Sequence, residues 1–172
     1  MAKIQIADLP ALALQSARGL LTTGQLTSQA VTSSYRAAWA LDDAYNEGAV
    51  SVPFVCPDGY TGSGTLKADV FFASGTNSGT AVFGVYVEAI TAGSDTLNVT
   101  TTDSFDTTGT NLGSTDLSGS TAGDLLKQTI TVATKDSIAA GDSVRIVVYR
   151  NVATDSVTGD LFVYAVELYE ET

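Results

Sequence analysis

From residue 35 to the end of the chain, apolar and polar positions alternate with a period of two. In residues 66–72, for example, apolar side chains at every second position alternate with Lys67 and Asp69. Because successive side chains of a β-strand point to opposite faces, this alternation predicts strands with one buried face. The pattern occurs in seven segments: 39–41, 50–54, 66–72, 83–89, 126–132, 144–148 and 162–168.

Polar turn sequences separate these segments, at residues 57–59, 75–79, 140–142 and 158–160. Strands of this length joined by such turns are typical of an antiparallel two-sheet sandwich. A parallel sheet is excluded because its strands are apolar on both faces. With one further strand, the sequence predicts an all-β jelly roll or sandwich of about eight strands over residues 35–172.

Residues 1–34 lack this alternation but carry a loosely spaced apolar series. Leu9 and Leu12 could share one face of a short helix, and residues 22–34 have the Ser, Thr, Gln and Gly content of an extended linker. One interpretation is a frayed terminus. The apolar series favours the other, an N-terminal extended arm that docks on a neighbouring subunit through Ile4, Ile6, Leu9, Leu12 and Leu14.

Thr, Ser, Gly and Asp dominate residues 91–124, where we expect one short edge strand near 104–108 between surface loops. Five acids in this stretch raise the possibility of calcium binding: Asp95, Asp103, Asp106, Asp116 and Asp124. Their spacing is wider than that of a calcium loop, in which acids alternate closely around a glycine. We therefore predict no metal site.

The charge narrows the choice of partners. The net charge is −11, and the eight Lys and Arg residues are scattered, so nucleic acid and anionic membrane surfaces are excluded as partners. The longest apolar run, residues 161–166, is too short to span a membrane, and residues 9–14 do not form an export signal.

The residue types argue against catalysis. The chain has no histidine, which removes the Ser-His-Asp triad, the Cys-His pair and the usual zinc sites. The lone Cys56 and the lone Trp39 both fall on the apolar positions of the alternation in their strands, so we expect both side chains to be buried. The acids Asp42, Asp43 and Glu47 are interpreted as a turn rather than as a glycosidase pair. We predict a protein that is not an enzyme and needs no cofactor.

Four side chains on outward phases are candidate contacts of the body: Phe71, Tyr86, Val147 and Tyr149. Tyrosine is enriched at subunit interfaces and also serves as a platform for sugar rings, so the two tyrosines fit either use.

The body resembles the small jelly-roll structural proteins of tailed bacteriophages, over about three quarters of the chain. The segments that carry the resemblance are Trp39-Ala40-Leu41-Asp42, Leu66-Lys67-Ala68-Asp69-Val70-Phe71-Phe72, Val85-Tyr86-Val87-Glu88-Ala89, Ala140-Gly141-Asp142-Ser143-Val144-Arg145-Ile146, Thr158-Gly159-Asp160-Leu161 and Glu167-Leu168-Tyr169. The resemblance implies a non-enzymatic virion component, often a homotrimer.

Two functions follow from this resemblance. In the first, the protein cements a phage capsid, with the major capsid protein as partner; it is made in the host cytoplasm and lies on the capsid surface of the virion. In the alternative, it is a tail-fibre or receptor-binding module that recognises a host surface glycan.

Overall fold

A computed structural model describes residues 2–11, 14–16, 22–23, 25–31, 34–95 and 105–172. These residues contain no α-helix, and hence no helix that could cross a membrane. The described strands, in chain order, are β1 (Lys3–Pro10), β2 (Leu14–Ser16), β3 (Thr22–Thr23), β4 (Gln25–Val31), β5 (Ser34–Leu41), β6 (Glu47–Ser51), β7 (Phe54–Val55), β8 (Thr65–Ser74), β9 (Thr80–Ile90), β10 (Asp106–Asp116), β11 (Leu126–Thr131), β12 (Ser143–Arg150) and β13 (Leu161–Glu171).

The strands form two sheets that pack face to face. Sheet one has the order β11-β8-β13-β5-β4, and β1 also pairs with β13. Sheet two has the order β10-β9-β12-β6-β2, with β3 on β6 and β7 on β12. The short β3–β6 pair is parallel and the other described pairs are antiparallel. The predicted all-β sandwich is confirmed.

The core lies between the sheets and follows the predicted alternation. On β12, for example, Val144, Ile146 and Val148 are fully buried in it. Phe72 of sheet one meets Phe83 of sheet two edge to face, with ring centroids 4.8 Å apart. Trp39 and Cys56 are buried as predicted, and burial raises the pKa of the Cys56 thiol to about 11.

The N-terminal segment differs from the predicted arm. Strand β1 pairs with β13 from Lys3↔Glu171 to Pro10↔Ala165, and Ile6, Leu9 and Leu14 belong to the core. These three residues are therefore not free to contact another subunit. Ile4 is half-buried, and Leu12 lies outside the described residues.

The geometry of β13 gives the reason. Strand β5 pairs only with its first residues, Leu161 to Val163, so the same edge beyond that point needs another partner. Strand β1 supplies it, because an unpaired edge would leave backbone N–H and C=O groups without hydrogen bonds.

The predicted boundary at residue 34 does not separate two units either. Strand β4, which lies in the predicted linker, forms a hairpin with β5 from Gln25↔Ala40 to Val31↔Ser34. The indole Nε1–H of Trp39 donates to the Ala11 carbonyl oxygen at 2.9 Å, which ties the two parts together.

The expected short edge strand near 104–108 is a longer strand, β10, of eleven residues. It pairs with β9, from Asn111↔Val85 to Asp116↔Thr80 along its regular part. The buried Asn111 side chain fixes its position by donating to the Val85 and Thr134 carbonyl oxygens at 3.0 and 2.7 Å.

Candidate functional surfaces

The four predicted contacts of the body lie on opposite sides of the sandwich. Phe71 is half-buried on the outer face of sheet one. Tyr86, Val147 and Tyr149 lie on the outer face of sheet two, where Val147 is the cross-strand partner of Tyr86. The four residues therefore cannot form a single patch.

A second apolar cluster covers part of the outer face of sheet two. We call it the tyrosine cluster; it consists of Val50, Phe105, Val147 and Tyr149, with Tyr86 and Leu112 packed against it. The rings of Tyr86 and Tyr149 stack with centroids 4.7 Å apart. Burial, together with a hydrogen bond to Tyr86, raises the pKa of Tyr149.

This cluster corrects the prediction that Val147 and Tyr149 are exposed. Their exposed fractions are 0% and 3%, and both side chains pack in one cluster with Val50 and Phe105. Of the three predicted contacts on this face, only Tyr86 retains some exposure.

An ion pair borders the tyrosine cluster. Glu88 is buried, and its carboxylate accepts two hydrogen bonds from Arg145, the one from Nη2 to Oε1 at 2.7 Å. The guanidinium carbon of Arg145 lies 5.0 Å from the centre of the Phe105 ring. Such a cation–π contact holds Phe105 at the edge of the cluster.

A groove of about 440 Å³ adjoins the tyrosine cluster, and Leu112 belongs to both. We call it the hydroxyl groove, because four of its lining residues carry hydroxyl groups. It is lined by Thr80, Val82, Leu112, Gly113, Ser114, Thr154 and Ser156.

The outer face of sheet one carries a different arrangement, in which lysines cross-link neighbouring strands. Lys3 binds Glu167 at 2.6 Å, Lys127 binds Asp69 at 2.9 Å and Lys67 binds Glu171. The Lys3 ammonium also lies 3.7 Å from the centre of the Tyr169 ring. We call this surface, with the adjacent Phe71, Phe162 and Ala165, the sheet-one face.

Asp69 is the buried member of this network, with a side chain that is 2% exposed. Burial acts to raise its pKa, but hydrogen bonds from Thr129, Lys127 and Tyr169 and the charge of Lys127 act the other way. The net effect lowers the pKa of Asp69. The carboxylate therefore stays charged and fixes the positions of its three partners.

The centre of the sheet-one face is apolar. Phe71 pairs across strands with Lys127 on one side and Ala165 on the other, and it is half-buried, as is Phe162. This face carries three positive charges, from Lys3, Lys67 and Lys127, and four negative charges, from Asp8, Asp69, Glu167 and Glu171. The face is thus close to neutral although the chain carries a charge of −11.

Within the described parts of the chain, no group of three or more Asp, Glu or Cys side chains is arranged to hold a metal ion. Three of the acids considered for calcium accept hydrogen bonds in their own turns: Asp95 from Thr91 N, Asp116 from Ser118 N and Asp124 from Thr121 N. Asp103 lies outside the described residues.

The acids before β6 are also used locally. Glu47 accepts from the backbone N–H of Asp42 at 2.8 Å, and Asp43 accepts from Gly159 N at 2.7 Å. Burial raises the pKa of Glu47. These contacts connect the 42–47 turn internally and to the 159 turn, as expected for turn carboxylates.

Sequence reasoning missed the fully buried Arg150. Its guanidinium donates to the carbonyl oxygens of Leu41, Val157 and Gly159 and to the carboxylate of Asp155. The signal was available, because position 150 continues the buried phase of 144, 146 and 148. A cation in that phase indicates a buried charge that must be paired.

Comparison of the sequence with known proteins assigns the chain to no family. No protein-family model and no curated protein match it. The xylan-binding domain CBM22-2 of Xyn10C from Paenibacillus barcinonensis has 12% identity and a TM-score of 0.48, over 96% of this chain and 99% of that chain.

Two other solved structures are similar to the same degree. The mannan-recognising carbohydrate-binding module TmCBM27 has 8% identity and a TM-score of 0.46, over 100% of both chains. The CBM22-1–GH10 modules of the Clostridium thermocellum xylanase Xyn10B, complexed with xylohexaose, have 11% identity and a TM-score of 0.44, over 98% of this chain and 28% of that chain. These similarities are limited to the general architecture and assign no function to this chain.

Proposed function

We propose that this chain is a non-enzymatic structural protein of a tailed-phage virion that decorates the capsid through contacts with the major capsid protein. The virion assignment is supported by the sequence resemblance, whose segments fall on β5, β8, β9, β12 and β13 and on the turns before β12 and β13. These are central strands of the two sheets. The absence of histidine supports the non-enzymatic part of the proposal.

The observation that carries the contact part is the sheet-one face. Protein interfaces combine an apolar centre with a polar rim, and here Phe71 and Phe162 lie beside three lysine–carboxylate pairs. Near-neutral charge on this face also matters, because the face can approach a partner of either charge without the repulsion that a strongly charged surface would meet. The cross-linking ion pairs hold the face rigid before binding.

We place the capsid contact on this face rather than on an arm, because Ile6, Leu9 and Leu14 are buried in the core of the same chain.

The resemblance also leads us to propose a homotrimer. Light scattering at micromolar concentration should then give about three times the chain mass of 17.7 kDa. A measured mass of one chain would contradict the trimer. It would not bear on capsid decoration, which the binding experiment below tests separately.

That test measures binding of the purified protein to heads that lack it, by co-sedimentation. Phe71→Ser and Phe162→Ser should each weaken binding at least about tenfold, since central interface aromatics dominate binding energy. Val55→Ser removes an apolar side chain that is 68% exposed on β7 of sheet two, and serves as the control. Circular dichroism confirms that each variant is folded.

Equal binding of all four proteins would contradict the assignment of the sheet-one face. No binding of the wild-type protein to heads would contradict the proposed function itself.

A further inference from the structure

The hydroxyl groove lies on the opposite side of the sandwich from the sheet-one face. Its floor is the cross-strand pair of Val82 and Ser114, with Leu112 beside it. Its wall is the turn after β12, which contributes Thr154 and Ser156. The groove is therefore a separate surface that the proposed capsid contact leaves free.

The wall is fixed to the floor by hydrogen bonds. Asp155 accepts from the backbone N–H of Val82 at 2.8 Å, and Arg150 holds the other carboxylate oxygen of Asp155. The Ser156 hydroxyl oxygen accepts from Thr80 N at 2.8 Å. A groove built this way keeps its shape before a ligand arrives, which lowers the cost of binding.

The lining is polar but uncharged. Four hydroxyl groups surround two aliphatic side chains, and no Asp, Glu, Lys or Arg is among the lining residues. Among the described residues, the hydroxyls of Thr80, Ser114 and Thr154 have no side-chain hydrogen-bond partner, so each can both donate and accept. A matching ligand offers many hydroxyls together with small apolar faces.

The charge of the protein further restricts the class of ligand that the groove can bind. With a net charge of −11 and no cation in the lining, the groove disfavours sulfated, phosphorylated or uronic-acid chains. Its volume of about 440 Å³ falls within the range of small-ligand sites. From the groove's lining and rigidity we infer that it binds a short segment of a neutral glycan.

The test is an NMR titration of the ¹⁵N-labelled full chain with maltohexaose, cellohexaose, mannohexaose and xylohexaose, each at millimolar concentration. An oligogalacturonate of the same length is the charged control. We expect at least one neutral chain to shift the amide signals of Ser114, Thr154 and Ser156 in a saturable way, and the charged chain to shift none of them.

Two matched variants locate the site. Ser114→Arg fills the groove from an exposed position and should weaken binding at least about tenfold, as expected when a bulky charge blocks a pocket. Thr131→Arg introduces the same side chain at an exposed position of β11, on the sheet-one side, and should bind like the wild type.

Three results would overturn the inference: no groove shifts with any of the four neutral chains, equal binding by Ser114→Arg, or shifts confined to other surfaces. Because the readout uses no phage heads, failure here leaves the capsid proposal standing, and failure of head binding leaves the groove standing.

Discussion

The ring of Tyr149 lies directly over Gly84, its cross-strand partner on β9. A methyl group at Gly84 would lie 2.3 Å from the Cζ atom of Tyr149, well inside van der Waals contact. The absence of a side chain at position 84 therefore permits the flat position in which Tyr149 stacks on Tyr86. The tyrosine cluster depends on this glycine for space.

Gly84→Ala should consequently lower the free energy of unfolding by about 1–3 kcal/mol, because the buried Tyr149 must move. Gly75→Ala is the control, since a methyl group at Gly75 would meet nothing within 4 Å. Urea denaturation measures both. Equal stability of the two variants would contradict the packing described for Tyr149.

The N-terminal strand gives a second prediction. Leu9→Ala should cost about 2–5 kcal/mol of unfolding free energy, as for other buried leucines, whereas Asp8→Ala on the exposed side of β1 should change little. A chain that starts at Tyr35 should not fold, because it lacks β1 and five core side chains, those of Ile6, Ala7, Leu9, Ala11 and Leu14. Circular dichroism and thermal denaturation test this, and a stable truncated chain would restore the interpretation as an arm.

A third prediction concerns acid stability. Burial acts to raise the pKa of Glu170, but hydrogen bonds from Thr61 N at 2.9 Å and Gly64 N at 2.7 Å outweigh it and lower the pKa below its usual 4.5. The folded state thus binds the proton more weakly than the unfolded state. The stabilisation is complete above pH 4.5 and is lost as the pH falls through the lowered pKa.

Glu170→Gln removes this titration. The stability difference between wild type and variant, measured by urea denaturation, should be largest near neutral pH and should shrink as the pH falls below 4.5. A difference that stays constant over this range would show that Glu170 does not carry the effect.

The sequence was sufficient to predict the strands with strict alternation. On β8 and β12 each apolar phase lies in the core, because a period of two leaves no freedom in which face is buried. The turn glycines were also readable: Gly141 and Gly159 adopt φ of 87° and 85°, a region that favours glycine.

The N-terminal strand could not be read in the same way. The alternation of Ile4 and Ile6 is broken by a register shift between Gln5 and Ala7, and the strand ends at Pro10. Its partner β13 lies at the other end of the chain, so no local pattern indicates the pairing. A bulge of this kind shifts the period by one residue.

The surface predictions failed for a related reason. The outward phase of Val147 and Tyr149 was right, but an outward phase is exposed only if nothing covers it. Here both side chains pack in one cluster with Phe105, which belongs to a stretch of Thr, Ser, Gly and Asp whose packing has no periodic signal. For the same reason, the alternation pattern did not predict the full length of β10, which is rich in these residues.

The proposed function requires that a phage genome encodes this protein. The most direct test of the central claim is therefore to measure the location and copy number of the protein on purified virions of such a phage. Quantitative mass spectrometry and cryo-electron microscopy of the particles provide both. Capsid decoration predicts many copies, in a fixed ratio to the major capsid protein, at regular positions on the outer head surface. Absence from the head, or a few copies confined to the tail tip, would contradict it.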